Sequence, residues 1–264
     1  MTDGTIRLGG MALANGVLVH GPTSWGCAVR TGSGELKVAS GAKPRLPVGS
    51  DRPLVRGPAR LAEALLVLPR VRRALPEARF AFEGKGALAA VAATGIAVRA
   101  LRGSGRLSPA AQELVGGLVS LAPALVALRG SDLAGYHGAE HVSIGTYERG
   151  APAEREHERC GSHLVVPLVV ASSAGAALAA RAPERARRPV ALAASLAAFS
   201  AATELFAWMV RNPGHPAARL LARPGHELQR RLATVEPTPE QVEVAEAALA
   251  ACLELEHVAR SAAA

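Results

Sequence analysis

Aromatic side chains are scarce in this chain, with two Trp, two Tyr and four Phe making up 3% of 264 residues. Nucleic-acid binding needs a basic face interleaved with stacking aromatics, and these few rings are scattered, so no nucleic-acid partner is expected. The net charge of +8 is instead carried mainly by Arg beside apolar runs, where it suits anionic headgroups or a membrane topology. Cysteine is scarce too. Cys27, Cys160 and Cys252 are odd in number and far apart, which excludes a disulfide framework and fits reduced thiols on a cytoplasmic side. The opening Met1-Thr2-Asp3-Gly4 lacks a basic start followed by an apolar stretch, so insertion is expected to use internal segments rather than a cleaved leader.

What the chain has in quantity is Ala, Val and Leu. Residues of hydrophobic type make up 49%, a composition suited to close helix packing. Leu164–Ala180 carries no charge, and Val190–Val210 carries only Glu204. Both approach the roughly 20 residues that cross a bilayer. Ala87–Val98 and Leu114–Leu128 are shorter and reach a span only if Arg99 and Arg129 snorkel. With four spans, the N-terminus, the central segment and the C-terminus share one side. Arg181, Arg185, Arg187 and Arg188 then crowd a short connection on the other, against the positive-inside rule unless the last pair is a re-entrant hairpin.

Outside these runs the patterns change. From Thr5 to about Ser40, short apolar runs alternate with glycine turns, which predicts strands and hairpins. Pro58 to about Leu75 reads as an amphipathic helix interrupted near Pro69, lying on the membrane surface or packed on the β region. Pro239–Glu256 reads as a second amphipathic helix, with Thr238 as N-cap and Val242, Ala245, Leu249 and Leu253 on one face. The expected architecture is mainly α, a polytopic helical membrane protein of about 2–4 spans with a small N-terminal β-rich region and a C-terminal amphipathic helix. The segments are 1–85, β-rich with its helix; 86–129, the first apolar pair; 130–163, polar; 164–210, the second apolar pair; and 211–264, the polar C-terminal region.

The chemistry gathers in the polar segment. It reads Tyr136-His137-Gly138-Ala139-Glu140-His141, then Tyr147-Glu148, then His157-Glu158-Arg159-Cys160-Gly161-Ser162-His163. On a helix, His137 and His141 lie one turn apart on one face, a spacing that lets both bind one metal, with Glu140 beside them as ligand or proton acceptor. The H-x-x-E-H order also occurs in inverted zinc proteases, where Glu is the general base. Cys160, Glu148 or His157 would supply a third ligand, and Zn²⁺ is one divalent ion the set suits. The alternative is a solvated, headgroup-facing surface. Glu204 either faces the bundle interior with a partner or snorkels near an interface. Cys27 and Cys252 read as small buried residues.

At these residues the chain resembles the YqhQ family, bacterial membrane proteins described as metal-dependent enzymes with a domain of unknown function. The resemblance runs from Gly9-Gly10-Met11-Ala12-Leu13-Ala14-Asn15-Gly16-Val17 through the Y-H-G-A-E-H and R-C-G groups to Leu232–Pro237 and Gln241–Ala245. The family pattern has Glu where this chain has Asn15, Arg for His20, Pro for Glu158 and Lys for Val142, and the change at 15 removes a possible ligand or base. The resemblance implies a multi-pass protein of the bacterial inner membrane and strengthens the expectation of a metal site. The leading expectation is therefore a bilayer-embedded, hydrolase-type metalloenzyme of unknown substrate, with an unknown small molecule or protein as partner. Its site faces the cytoplasm, with His137, His141 and Cys160 as ligands, Glu148 or His157 completing the shell and Glu140 as base. A non-enzymatic scaffold or assembly factor is the alternative, and a transporter built around Glu204 is the third.

Overall fold

The glycine-punctuated N-terminal runs form four strands in the computed structural model, which describes residues 5–47, 52–129 and 132–262. Strands β1 (Gly9–Leu13), β2 (Gly16–His20), β3 (Ser24–Arg30) and β4 (Leu36–Ala42) make an antiparallel sheet in that order, with β1 at one edge. The register pairs Gly9 with His20 and Leu18 with Cys27. Because side chains alternate across a strand, Val17 and Val19 join one core while Leu18 joins another. Both faces of β2 are therefore covered, which is why its text is an unbroken apolar run.

Helices α1 (Arg56–Leu65) and α2 (Leu68–Ala74) replace the single interrupted helix expected over 58–75. The break falls at residues 66–67, not at Pro69. Pro69 sits in the first turn of α2, where a missing N–H removes no helical hydrogen bond. The two halves do different work. Val67, Val71 and Leu75 pack on the sheet with Leu18 and Trp25, while α1 leaves the sheet and meets a later helix.

Helix α3 (Lys85–Gly103), the pair α4 (Pro109–Val119) and α5 (Ala122–Leu128), α7 (Val165–Ala179) and α8 (Glu184–Arg211) carry the apolar runs. Four segments, Lys85–Gly103, Pro109–Leu128, Gly161–Ala179 and Glu184–Arg211, are long and apolar enough to cross a membrane. The first two are longer than their apolar text because the helices continue through polar ends, where Arg102 pairs with Glu113 at 2.5 Å. Arg185, Arg187 and Arg188 belong to the first turns of α8 and not to a connecting loop. These helices turn apolar side chains outward: Ile96 is 71%, Val170 61% and Leu192 64% exposed. Such residues gain about 1.5–3 kcal/mol each when removed from water, so the outward faces suit hydrocarbon. Between α7 and α8 the contact is made by small residues, with Gly175 so close that a Cβ would lie 3.3 Å from Ala194 O.

Helix α6 (Asp132–Arg149) and helix α10 (Pro239–Ser261) cover one face of the sheet, joining Tyr136, Ala139, Val244 and Ala248 to Val17, Val19 and Ala28. Thr238 caps α10 by accepting from Gln241 N, and Gln241 reciprocates to Thr238 N at 3.0 Å. Helix α9 (Pro216–Leu228) and a π-helical turn, Gln229–Ala233, lead into it. The start of α3, the end of α5, the start of α7 and the end of α8 all adjoin this sheet-and-helix unit, so the polar segment lies where the apolar helices begin and end.

Candidate metal centre

The site is built on α6, which is buried along most of its length because small residues such as Ala134, Gly135, Gly138 and Ala139 let neighbours approach. On it, His137 and His141 share one face with ring centroids 4.4 Å apart. Cys160 arrives from the 150–160 loop, just before the 3₁₀ turn Gly161–Leu164 that leads into α7, and its Sγ lies 3.6 Å from His137 Nε2. One ligand atom from each of His137, His141 and Cys160 lies within 4.8 Å of the others, so this cluster can hold a metal ion.

The orientation of both rings is set from behind. His137 Nδ1 is 2.8 Å from Ala233 O, and His141 Nδ1 is 2.6 Å from Arg155 O. A carbonyl only accepts, so Nδ1 carries the hydrogen in each ring and the lone pair is on Nε2. Backbone carbonyls orient metal-bound imidazoles in this way. Burial, aided by the nearby His137, holds His141 below the usual imidazole pKa against the opposing pull of Cys160 and Arg155 O. The shift favours the neutral ring, the form in which an imidazole binds a metal.

Glu140 points into the same space. It is buried, and burial raises its carboxyl pKa while His137 and His157 pull the other way. The side chain lies across β1, close enough that a Cβ on Gly10 would fall 2.3 Å from Oε1. A cavity of about 450 Å³ opens here, walled by Gly10, His137, Glu140, His141 and Cys160 together with Ala124 and Ala127 of α5. It therefore lies between the sheet edge and the end of an apolar helix.

Glu148 and His157, expected as further ligands, are not part of the three-residue cluster, although His157 lines the same cavity with its ring 5.5 Å from that of His141. Glu148 forms an ion pair with Arg159, and its other oxygen is 3.4 Å from His157 Nε2. His157 Nδ1 accepts from Arg159 N at 3.4 Å. Arg159 also donates to Leu8 O at 3.3 Å. This network pins the loop carrying Cys160 against α6 and the N-terminal segment.

Three residues of this neighbourhood were not among the expected site residues. Gln229, fully buried, accepts from His157 N at 2.8 Å and donates to His157 O and to Ser162 Oγ, clamping both flanks of Cys160. Ala233 contributes only a backbone oxygen. His20 lines the cavity with its Nδ1 3.2 Å from Lys43 Nζ, and burial with the Lys43 charge pushes its pKa down to about 4. An isolated histidine at a strand end reads like any other. Asn15, where the family pattern has Glu, is remote from this chemistry: its Nδ2 donates to Arg30 O and Glu77 O, and its Oδ1 accepts from Arg79 N.

Glu204 has a partner, but not an interior one. Arg56 of α1 grips it through both Nε and Nη2, and Leu54 N donates to it at 3.1 Å. Cys27 and Cys252 are wholly buried, and burial pushes the Cys27 thiol up to about 12.

No curated protein and no solved structure matches this chain. The N-terminal stretch Gly9–Val17 that resembles the YqhQ pattern lies outside the residues a family model matches, and no named relative ties that label to the chain. Over residues 131–255, which run from α6 and the histidine pair into α10, the chain is similar to a family described as a protein of unknown function, DUF1385.

Proposed function

We propose that the chain is a multi-pass membrane protein whose polar unit is a metal-dependent enzyme of hydrolase type, with the site on the cytoplasmic side. The observation that carries this reading is the convergence of His137 Nε2, His141 Nε2 and Cys160 Sγ, with both imidazoles locked from behind by Ala233 O and Arg155 O. Three protein ligands with a cavity in front are the arrangement of a catalytic site, whereas a structural site closes with four. A divalent ion held there supplies Lewis acidity to a bound substrate.

The residues around it have distinct roles. Glu140, whose buried carboxyl is held above its usual pKa, takes a proton from the attacking water and returns it to the leaving group. His157, Glu148 and Arg159 hold the Cys160 loop and keep the third ligand in place. The apolar wall from α5 excludes bulk water and admits substrate from the membrane side.

Metal analysis of detergent-purified protein tests this reading. The wild type should carry about one transition metal per chain, and a His137→Ala/His141→Ala variant should carry none. A wild-type chain that binds no metal, with affinity unchanged in the double variant, overturns it. Full complementation in cells by Glu140→Gln would instead favour a scaffold that uses the cluster only to hold its shape.

A further inference from the structure

A second cavity, of about 470 Å³, adjoins the first, with Leu8 and Arg159 lining both. Five arginines line it, Arg7, Arg56, Arg60, Arg159 and Arg211, against the single carboxylate residue Glu204. Glu204 is taken by Arg56 and Arg159 by Glu148, so those charges are matched. Arg7, Arg60 and Arg211 have no carboxylate partner within ion-pair distance among the described residues. Arg211 acts only on the Glu204 carboxylate that Arg56 already grips, so the exposed side chains of Arg7, Arg60 and Arg211 leave the cavity with an excess of positive charge that an anion would offset.

The rest of the wall says what kind of anion. Phe199, Phe206 and Val210 of α8 line it beside Leu61 of α1 and Leu164 at the start of α7. Phe199 and Arg211 are twelve positions apart on one helix, which is about 18 Å of rise, so the cavity runs from a charged mouth to an apolar depth along an outward-facing helix. Helix α1 flanks the cavity and packs on α8, where a Cβ on Gly57 would lie 2.1 Å from Thr203 Oγ1. Leu61, which lines the cavity, stays 46% exposed.

We propose that this cavity binds the phosphate of an anionic phospholipid, with Arg7, Arg60 and Arg211 around the headgroup and the acyl chain along Phe206 and Phe199. The proposal rests on the membrane reading of the apolar helices but not on the metal site. A free phosphate would use the same arginines and leave the aromatic half of the cavity unfilled.

Flotation with pure phosphatidylcholine vesicles first reports embedding, whatever the headgroup. A chain that stays in the aqueous fraction there overturns the membrane reading and this proposal with it. Native mass spectrometry of the detergent-solubilised full chain then compares phosphatidylglycerol with phosphatidylcholine. The wild type should retain one phosphatidylglycerol in preference, and Arg60→Gln/Arg211→Gln should weaken retention roughly twentyfold, each arginine at a membrane surface being worth on the order of fivefold. Arg230→Gln/Arg231→Gln, the same charge loss on exposed side chains outside the cavity, should leave it unchanged. Arg7→Gln, on the N-terminal segment outside every helix, should repeat part of the loss even if the double variant fails to fold. Equal loss in the Arg230/Arg231 control, no loss in Arg7→Gln and the cavity double variant, or full displacement of the lipid by inorganic phosphate would overturn the proposal.

Discussion

The carboxylate of Glu140 rests on the backbone of Gly10, so that a methyl group on residue 10 would fall 2.3 Å from Oε1 and 2.6 Å from Cγ. Gly10→Ala therefore has to push Glu140 or the β1 edge aside, an overpacking that costs about 1–3 kcal/mol. A lowered melting temperature should follow, and Glu140→Ala in the same chain should restore much of it by emptying the space. Failure of the second substitution to rescue the first would place the strain elsewhere.

Asn15 needs its amide hydrogens, because Nδ2 donates to Arg30 O at 3.0 Å and to Glu77 O at 3.1 Å. Asn15→Asp turns both contacts into oxygen against oxygen in a buried place, at a cost of about 2–4 kcal/mol. Chemical denaturation should register that loss while metal content per folded chain stays at the wild-type value. A change in metal content at unchanged stability would show that residue 15 acts in the site after all.

Glu256 of α10 accepts from Thr23 N and Ser24 N at 2.7 Å, and from Thr23 Oγ1 and Ser24 Oγ at 2.9 Å, tying the last helix to the β2–β3 turn. Burial alone would raise its pKa, but these donors outweigh burial and hold the carboxyl below its ordinary value of 4.5. The sign follows: a group with a depressed folded pKa contributes stability that is full above its unfolded pKa and is lost as pH falls through the folded one. Wild-type stability should decline below about pH 4.5, and a Glu256→Gln variant, weaker at neutral pH, should show a flatter acid limb in urea melts.

Arg56 and Glu204 join α1 to α8 across about 150 positions of sequence. Reversing either charge should loosen α1 and speed proteolysis between residues 52 and 66, and reversing both should recover most of the protection. Glu204→Gln should leave proton- or ion-driven uptake into vesicles at background, as in wild type. Uptake that depends on Glu204 would revive the transporter alternative.

Much of the helical plan was legible because it depends on neighbours in sequence. The one-turn spacing of His137 and His141, the cap at Thr238 and the run lengths of α7 and α8 follow from backbone periodicity and the thickness of a bilayer. The helix break was misplaced because Pro69 reads as an interruption, whereas proline is at ease in a first turn. Glu204 was legible as a costly carboxylate in need of a partner, yet nothing local named Arg56.

The sequence by itself determined that two imidazoles and a carboxylate would share a short stretch of helix among apolar runs, since i and i+4 positions must share a helix face. Only the tertiary structure decided that the Cys160 loop would come back within 4.8 Å of both imidazoles and that Glu148 would be taken by Arg159. It also decided that Ala233 O and Arg155 O would turn both rings toward one point. Those partners lie 14 to 96 positions away, and where a chain returns upon itself is set by the packing of whole elements rather than by any local pattern.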